Sequence, residues 1–336
     1  MNGRLEHQIK TEARMNSIVI DQPIFIKEWY AYMNGNGEAD YKTVEIYLRY
    51  ILNYLKYNKI KNINVLNVKT SDVASYMSQL RTTTRNNQVV ATSNSYKATV
   101  WFALNSFFKF LKVNHYIEEN PMENIPRASA TKDLDTINRV SLNPEELQEV
   151  INTVMTGVGN KGARSKQKAW RSRDLAIILL LIYTGIRVTA LTEINMKDVD
   201  LDARTIKVTD KRDKTFLCVI PEEVIPYLED WQHKRYELLD YNFLAEPFFI
   251  SNQRTRITSR SVARLVDKYT STLDKHVSPH KFRASYATNL YEQTKDIYFV
   301  QQCMGHSNIE TTKRYINSGH NAKAEASRMM SGMLRI

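Results

Sequence analysis

The chain has 336 residues, 43% hydrophobic and 25% charged, a composition suited to a globular protein long enough for two domains. Its 47 Lys and Arg against 36 Asp and Glu leave a net charge of +11. That surplus favours a polyanionic partner, because cations displace the counterions condensed on a phosphate backbone. The two cysteines, Cys218 and Cys303, stand far apart without CxxC spacing. This argues against a disulfide framework or a cysteine zinc site and fits a reducing compartment.

The first residues, MNGRLEHQIKTEARMN, are polar and lack the apolar core of a secretory signal. Helical spacing begins with Ile24, Phe25, Trp29 and Tyr30, and returns in Val44, Tyr47, Leu48, Ile51 and Leu55. A third helix starts at Ser71-Asp72 and carries Val73, Tyr76, Met77 and Leu80. A fourth runs from about Ser93 to Lys112, with Val100, Leu104, Phe107, Phe108 and Leu111 on one face, and stops before Asn120-Pro121. No strand alternation interrupts them, so this region reads as all-helical. Residues from Pro121 to about 140 have little apolar periodicity and read as a linker.

Leu142-Asn143-Pro144-Glu145-Glu146-Leu147 is a helix start, with proline and acids in its first turn. The stretch from Gly157 to Arg173 holds Lys161, Arg164, Lys166, Lys168, Arg171 and Arg173 and no acid; it is read as a loop, either solvated or in contact with phosphates. The apolar run Leu175–Tyr183 is about half the length of a membrane crossing and is expected as a buried core helix. Thr205 to Val208 and Phe216 to Ile220 alternate as strands around a charged turn, which makes a hairpin, and Phe248 to Ile250 is a further short strand candidate. The remainder from Ser259 reads as helical. The fold expected is mainly α with a small antiparallel sheet.

Four segments carry residues whose chemistry exceeds packing. Arg187 follows Thr184-Gly185-Ile186; Lys211 sits at the hairpin tip; His280 and Arg283 fall three apart on a helix opened by Pro279; His306 and Tyr315 close the stretch from Met304. Each alone has an ordinary structural explanation. Together they suit transesterification of a phosphodiester. Guanidinium forks match the non-bridging oxygens and offset charge in a pentacoordinate transition state. A phenol, with a free pKa near 10, needs a base and nearby cations to become a nucleophile, and the leaving 5′ alkoxide needs a proton donor such as lysine. No metal or other cofactor is required, and the sequence offers neither HExxH nor a carboxylate cluster.

These segments resemble the tyrosine recombinase (phage integrase) family. TGIR matches the first arginine box, HKFR the H-x-x-R box and GHSNIETTKRY the closing box, in which Tyr315 follows His306 by nine residues; Lys211 follows Arg187 by 24. The resemblance spans about residues 20 to 320. It implies an N-terminal extension over 1–19, a helical, SAM-like core-binding domain over 20–122, a linker over 123–140, a catalytic domain over 141–318 and a tail over 319–336. The two domains would clamp double-stranded DNA. Arg187 and Arg283 would hold the scissile phosphate, Lys211 would protonate the leaving oxygen, His280 would move the tyrosine's proton, and His306 would bond the phosphate. Tyr315 would form a 3′-phosphotyrosyl bond on the way to a Holliday junction.

The resemblance further implies a homotetramer whose C-terminal segment, Ala322 to Leu334, contacts a neighbouring subunit, with accessory DNA-bending factors as further partners. A cytoplasmic, nucleoid-associated location is expected, with no membrane partner. Arg81, Lys97, Lys109, Lys161, Arg164, Lys166, Lys168, Arg171 and Arg173 are candidates for backbone phosphate contacts. Two positions depart from the family pattern: Ala190 replaces an acid, with Glu193 or a backbone group as a substitute support, and Ala284 replaces a common histidine. The rival readings are nicking and resealing of the type IB topoisomerase kind, and a catalytically silent DNA-binding factor of the same fold.

Overall fold

The computed structural model describes residues 3–35, 39–85, 88–127, 141–209, 215–240 and 246–305, with 309 and 312. The chain divides into two units, Leu5–Ile137 and Asn138–Ile336, the latter grouped with Met1–Arg4. The fold is mainly helical with a small antiparallel sheet, as expected.

In the first unit α1 (Gly3–Val19), α2 (Ile24–Gly35), α3 (Tyr41–Ile60), α4 (Thr70–Gln79), β1 (Thr82–Arg85), β2 (Gln88–Ala91) and α5 (Asn94–Val113) follow one another. Short polar side chains start the longer helices: the Asp40 carboxylate accepts from Lys42 N–H, and the Ser93 hydroxyl accepts from Tyr96 N–H. The core is aromatic. Trp29, Tyr54, Phe107 and Phe108 are fully buried, and the Trp29–Phe107 and Tyr54–Phe108 rings meet edge to face at 85° and 75°.

Two elements here depart from expectation. Residues 3–19 form a helix because Met15 and Val19 reach the same core, although most of the helix is polar. The region is also not wholly helical. Thr82 to Arg85 pair antiparallel with Gln88 to Ala91, Thr82 opposite Ala91, and Thr92 N–H closes on Arg81 O at 2.9 Å. Four-residue strands of threonine and valine are too short to show the alternation that announces a strand.

The second unit opens with α6 (Pro144–Thr156), where Asn143 and Glu146 cap each other's backbone N–H at 2.8 and 2.9 Å. Then come α7 (Lys161–Lys168), α8 (Arg171–Thr184), α9 (Val188–Glu193), β3 (Val199–Asp200), β4 (Thr205–Thr209), β5 (Thr215–Val219), α10 (Ile225–Leu238), α11 (Ser259–Tyr269), α12 (Pro279–Thr294) and α13 (Ile297–Cys303). The expected basic loop is therefore partly a helix, α7, started by the Asn160 side chain accepting from Ala163 N–H. Helix α8 contains the apolar run read from sequence; residues 175–181 are buried throughout, and the helix packs against α6, α10 and α12. The sheet order is β3-β4-β5, with Ile206 opposite Cys218 and Val208 opposite Phe216 on the inner face. Phe248 to Ile250 form no strand: only isolated bridges, Asn195 to Pro247 and Ile250 to Arg256, hold that segment.

The chain enters this unit fastened to α12. Leu142, fully buried, donates its N–H to Ser285 Oγ at 2.6 Å, and Lys275 Nζ bonds Ser141 O at 3.2 Å. Replacing Ser285 by alanine leaves that buried N–H without an acceptor. The variant should lose about 1–3 kcal/mol of stability in urea denaturation of the full chain.

Candidate active site

Helix α8 ends where Gly185 takes a left-handed conformation, φ 56°. A side chain could not stand there: a Cβ would lie 2.6 Å from Tyr286 Cδ1. Thr184 Oγ1 donates to Leu180 O at 2.6 Å and accepts from Ile186 N–H at 3.3 Å, which closes the turn. Arg187 is the residue that starts α9; it is half-buried, its backbone extended, and its carbonyl accepts from Leu191 N–H at 2.9 Å.

Helix α12 begins after Ser278, with Pro279 in its first turn and His280 exposed beside it. Arg283, one turn on, is 3% exposed. Its Nη1 donates to Gly185 O and its Nη2 to Met304 O, both at 2.6 Å. One buried guanidinium thus joins the turn before Arg187, its own helix, and the segment before His306. These two bonds offset part of the cost of burying the charge.

Strand β5 belongs to the same neighbourhood. Gly305, φ 62°, approaches the Phe216 ring, its Cβ direction meeting Cε1 at 3.9 Å. The Cys218 thiol is pushed up to about 11 by burial, against the opposing effects of the Arg283 charge and a bond to Thr184. Burial likewise pushes the Tyr286 phenol up to about 12, helped by Cys303 and Cys218. The structure therefore brings together the surroundings of Arg187, His280 and Arg283, and sets the strand that leads away from the hairpin tip beside them. Lys211, His306 and Tyr315 lie outside the described residues, as does the segment Ala322 to Leu334.

The positions that break the family pattern are both buried. Ala190 borders a cavity of about 340 Å³ shared with Glu193, Lys207, Thr209 and Thr215. Ala284 packs with Ala287, Val300 and Met304, so its small side chain lets α13 close on α12. A further residue, missed in the sequence, anchors the end of α9: Arg256 Nη1 donates to Thr192 O and Ile194 O, at 3.1 and 3.3 Å, and Nη2 to Asn195 Oδ1, at 2.6 Å. Nothing in Arg254-Thr255-Arg256 separates this arginine from a solvated loop charge.

Among the expected phosphate contacts, Arg81, Lys109, Lys161, Arg164, Lys166 and Lys168 are exposed, and Lys97 and Arg171 half-buried. Arg164 Nε donates to Gly159 O at 2.9 Å, and Arg171 Nη1 to Met155 O at 3.1 Å. Arg173 is a correction. It is buried, and its guanidinium is held by Asp174 at 2.7 Å, Ile250 O at 3.0 Å and Asn252 at 3.0 Å, so it is a structural cation rather than a surface contact. Among the described residues no group of three His, Cys, Asp or Glu side chains could hold a metal ion.

Residues 141–322 match the Phage integrase family. The chain belongs to that family. Tyrosine recombinase XerC of Syntrophus aciditrophicus is 28% identical over 219 residues, 63% of this chain and 66% of that one. A tyrosine recombinase of Agathobacter rectalis is 26% identical over 297 residues, covering 86% and 90% of the two chains. In structure, the XerH site-specific recombinase bound to a palindromic difH substrate aligns with a TM-score of 0.65 over 86% of this chain and 80% of that one. At 20% identity, that likeness speaks for the fold. The family match spans the boxes that carry Arg187, His280 and Arg283, together with Lys211, His306 and Tyr315.

Two outcomes follow from this geometry. Gly185→Ala drives a methyl group into the Tyr286 ring and strains a left-handed residue, so its melting temperature should fall and any DNA cleavage should drop at least tenfold. Cys218, a buried thiol whose pKa lies well above 8, should react slowly with iodoacetamide at pH 8 in the folded chain and rapidly in urea.

Proposed function

We propose that this integrase-family chain is a site-specific DNA recombinase that cuts and rejoins strands through a 3′-phosphotyrosyl bond at Tyr315. The observation that carries the reading is the Arg283 guanidinium, which draws the Gly185 turn and the Met304 segment into one place. Arg187 and Arg283 bind the non-bridging oxygens of the scissile phosphate, whose charge and geometry a guanidinium fork matches. The Tyr315 oxygen attacks phosphorus as His280 takes its proton. The bond from phosphorus to the 5′ oxygen breaks, and Lys211 protonates that oxygen while His306 bonds the phosphate. The phosphotyrosyl ester keeps the energy of the broken phosphodiester, and a partner strand's 5′ hydroxyl reverses the step to give a Holliday junction.

DNA is the partner, and phosphate contacts from Arg81, Lys97, Lys109, Lys161, Arg164, Lys166, Lys168 and Arg171 hold it without reading sequence. Residues 20–122 and 141–318 each bind it, joined by 123–140, and residues 319–336 dock on a neighbour in a homotetramer. Accessory DNA-bending factors join that assembly. Integration or excision of a mobile element is the rearrangement this organisation serves, inside the cytoplasm at the nucleoid.

The test is trapping on a nicked suicide substrate, followed by sequencing of the linked DNA. Wild type should give a covalent protein–DNA band on a denaturing gel, and Tyr315→Phe none. Absence of the band with every DNA sampled, despite binding, would support the silent binding factor; supercoil relaxation without a preferred site would support the topoisomerase reading. Lys211→Ala should cleave at least a hundredfold more slowly and recover on a substrate whose leaving 5′ oxygen is replaced by sulfur, since a thiolate leaves without a proton.

A further inference from the structure

A second polar cleft lies away from the Arg283 cluster, towards the opposite end of α8. It has a volume of about 430 Å³ and is bordered by Arg173, Asp174, Asn252, Ser261, Arg264 and Lys268. The Asp174 carboxylate is its floor and is almost fully buried. One of its oxygens accepts from Arg173 Nε and Nη2 at 3.0 and 2.7 Å; the other accepts from Tyr269 OH at 2.8 Å and Lys268 Nζ at 3.2 Å. Four donors leave this carboxylate little capacity to repel or hold anything else.

Arg173 is taken up by Asp174, Ile250 O and Asn252, and among the described residues bordering the cleft Asp174 is the one acid, so Arg264 and Lys268 supply its net positive charge. The cations are held, not loosely tethered. Arg173 lies over the Trp170 ring, 4.4 Å from its centroid, and Lys268 over the Tyr269 ring at 3.9 Å. Asn252 uses its oxygen to accept from Arg173 Nη1, which turns its amide N–H₂ to other partners. Arg264, exposed on α11, completes the rim. What enters meets guanidinium, ammonium, amide and hydroxyl donors on a cationic field. The chemistry is that of a phosphate seat.

We infer that this cleft seats a backbone phosphate of the DNA other than the one that is cut. A phosphodiester fits better than a deeply enclosed anion because the charges at the rim are partly solvated and could take a phosphate without stripping it from its strand. The 14 residues of α8 span about 21 Å between this cleft and the turn before Arg187. A duplex lying along that direction places the seat roughly six base pairs from the cut, at ~3.4 Å per pair. The inference rests on DNA being the substrate, but not on Tyr315 being the nucleophile.

The first arm measures the affinity of the full-length protein for a 40-base-pair duplex across a range of salt concentrations. Loss of one phosphate contact in Arg264→Ala should make the slope of log K against log salt shallower by about 0.9, with Arg264→Lys retaining the wild-type slope. The second arm uses duplexes of the trapped sequence with single neutral methylphosphonates. One position about six pairs from the cut should weaken wild type several-fold and leave Arg264→Ala unaffected. An unchanged slope in Arg264→Ala would overturn the inference. So would a melting temperature raised by inorganic phosphate at fixed ionic strength in wild type alone, with equal slopes, which would mark a seat for the free anion. A chain that forms no tyrosyl link yet keeps the salt-slope difference would sink the recombinase reading and leave this one standing.

Discussion

The guanidinium of Arg283 is where the second unit is tied together. It reaches backwards to the carbonyl of Gly185 and forwards to the carbonyl of Met304, so residues 98 and 21 positions away in sequence share one buried charge. Neither carbonyl is supplied by a side chain that could be exchanged for another. The contact depends on backbone geometry: on α8 ending at Gly185, on α13 ending at Met304, and on α12 lying between them. A lysine could not bridge both, since an ammonium offers a point charge where the fork offers two parallel donors. The same group that binds the scissile phosphate in the proposed reaction is therefore a structural tie before DNA arrives. That double use links stability to catalysis at this position.

Around this tie the fold places its polar groups by ending helices. Arg187 stands at the start of α9, His280 in the first turn of α12, and Gly305 just past α13. Helix ends leave backbone groups without intrahelical partners, and so suit positions where side chains must face a ligand. The bodies of the helices, α8 above all, are given to apolar packing. Polar groups at the ends and hydrocarbon in the middle let one sequence be well packed and still present polar side chains.

Much of this could be read from residues alone, and the failures have identifiable causes. Leu175–Tyr183 could only be a buried helix, and Gly185 could only end it. Pro279 fixed the start of α12, and alternation around a charged turn gave β4 and β5. What escaped was local or long-range. The pair β1 and β2 is four residues a side, below the length at which a period of two can be seen. Helix α1 owes its place to Met15 and Val19 meeting a core built elsewhere. Arg173 looked like one more cation in a basic stretch, because the partner that buries it is its own neighbour Asp174 and the carbonyl of Ile250, 77 residues on. Arg256 was invisible for the same reason: its acceptors are Thr192, Ile194 and Asn195. Pattern reveals what a residue avoids, and only the folded chain reveals what it meets.

The docking of Ser141 and Leu142 on Lys275 and Ser285 has a mechanical side. The covalent connection between the two units ends on the helix that bears His280 and Arg283, rather than fading into a loose turn. The contact falls two residues from Arg283 on the same helix. Leu142 is therefore pinned to the helix that bears Arg283, so a change at the first described residues of the second unit reaches that helix directly.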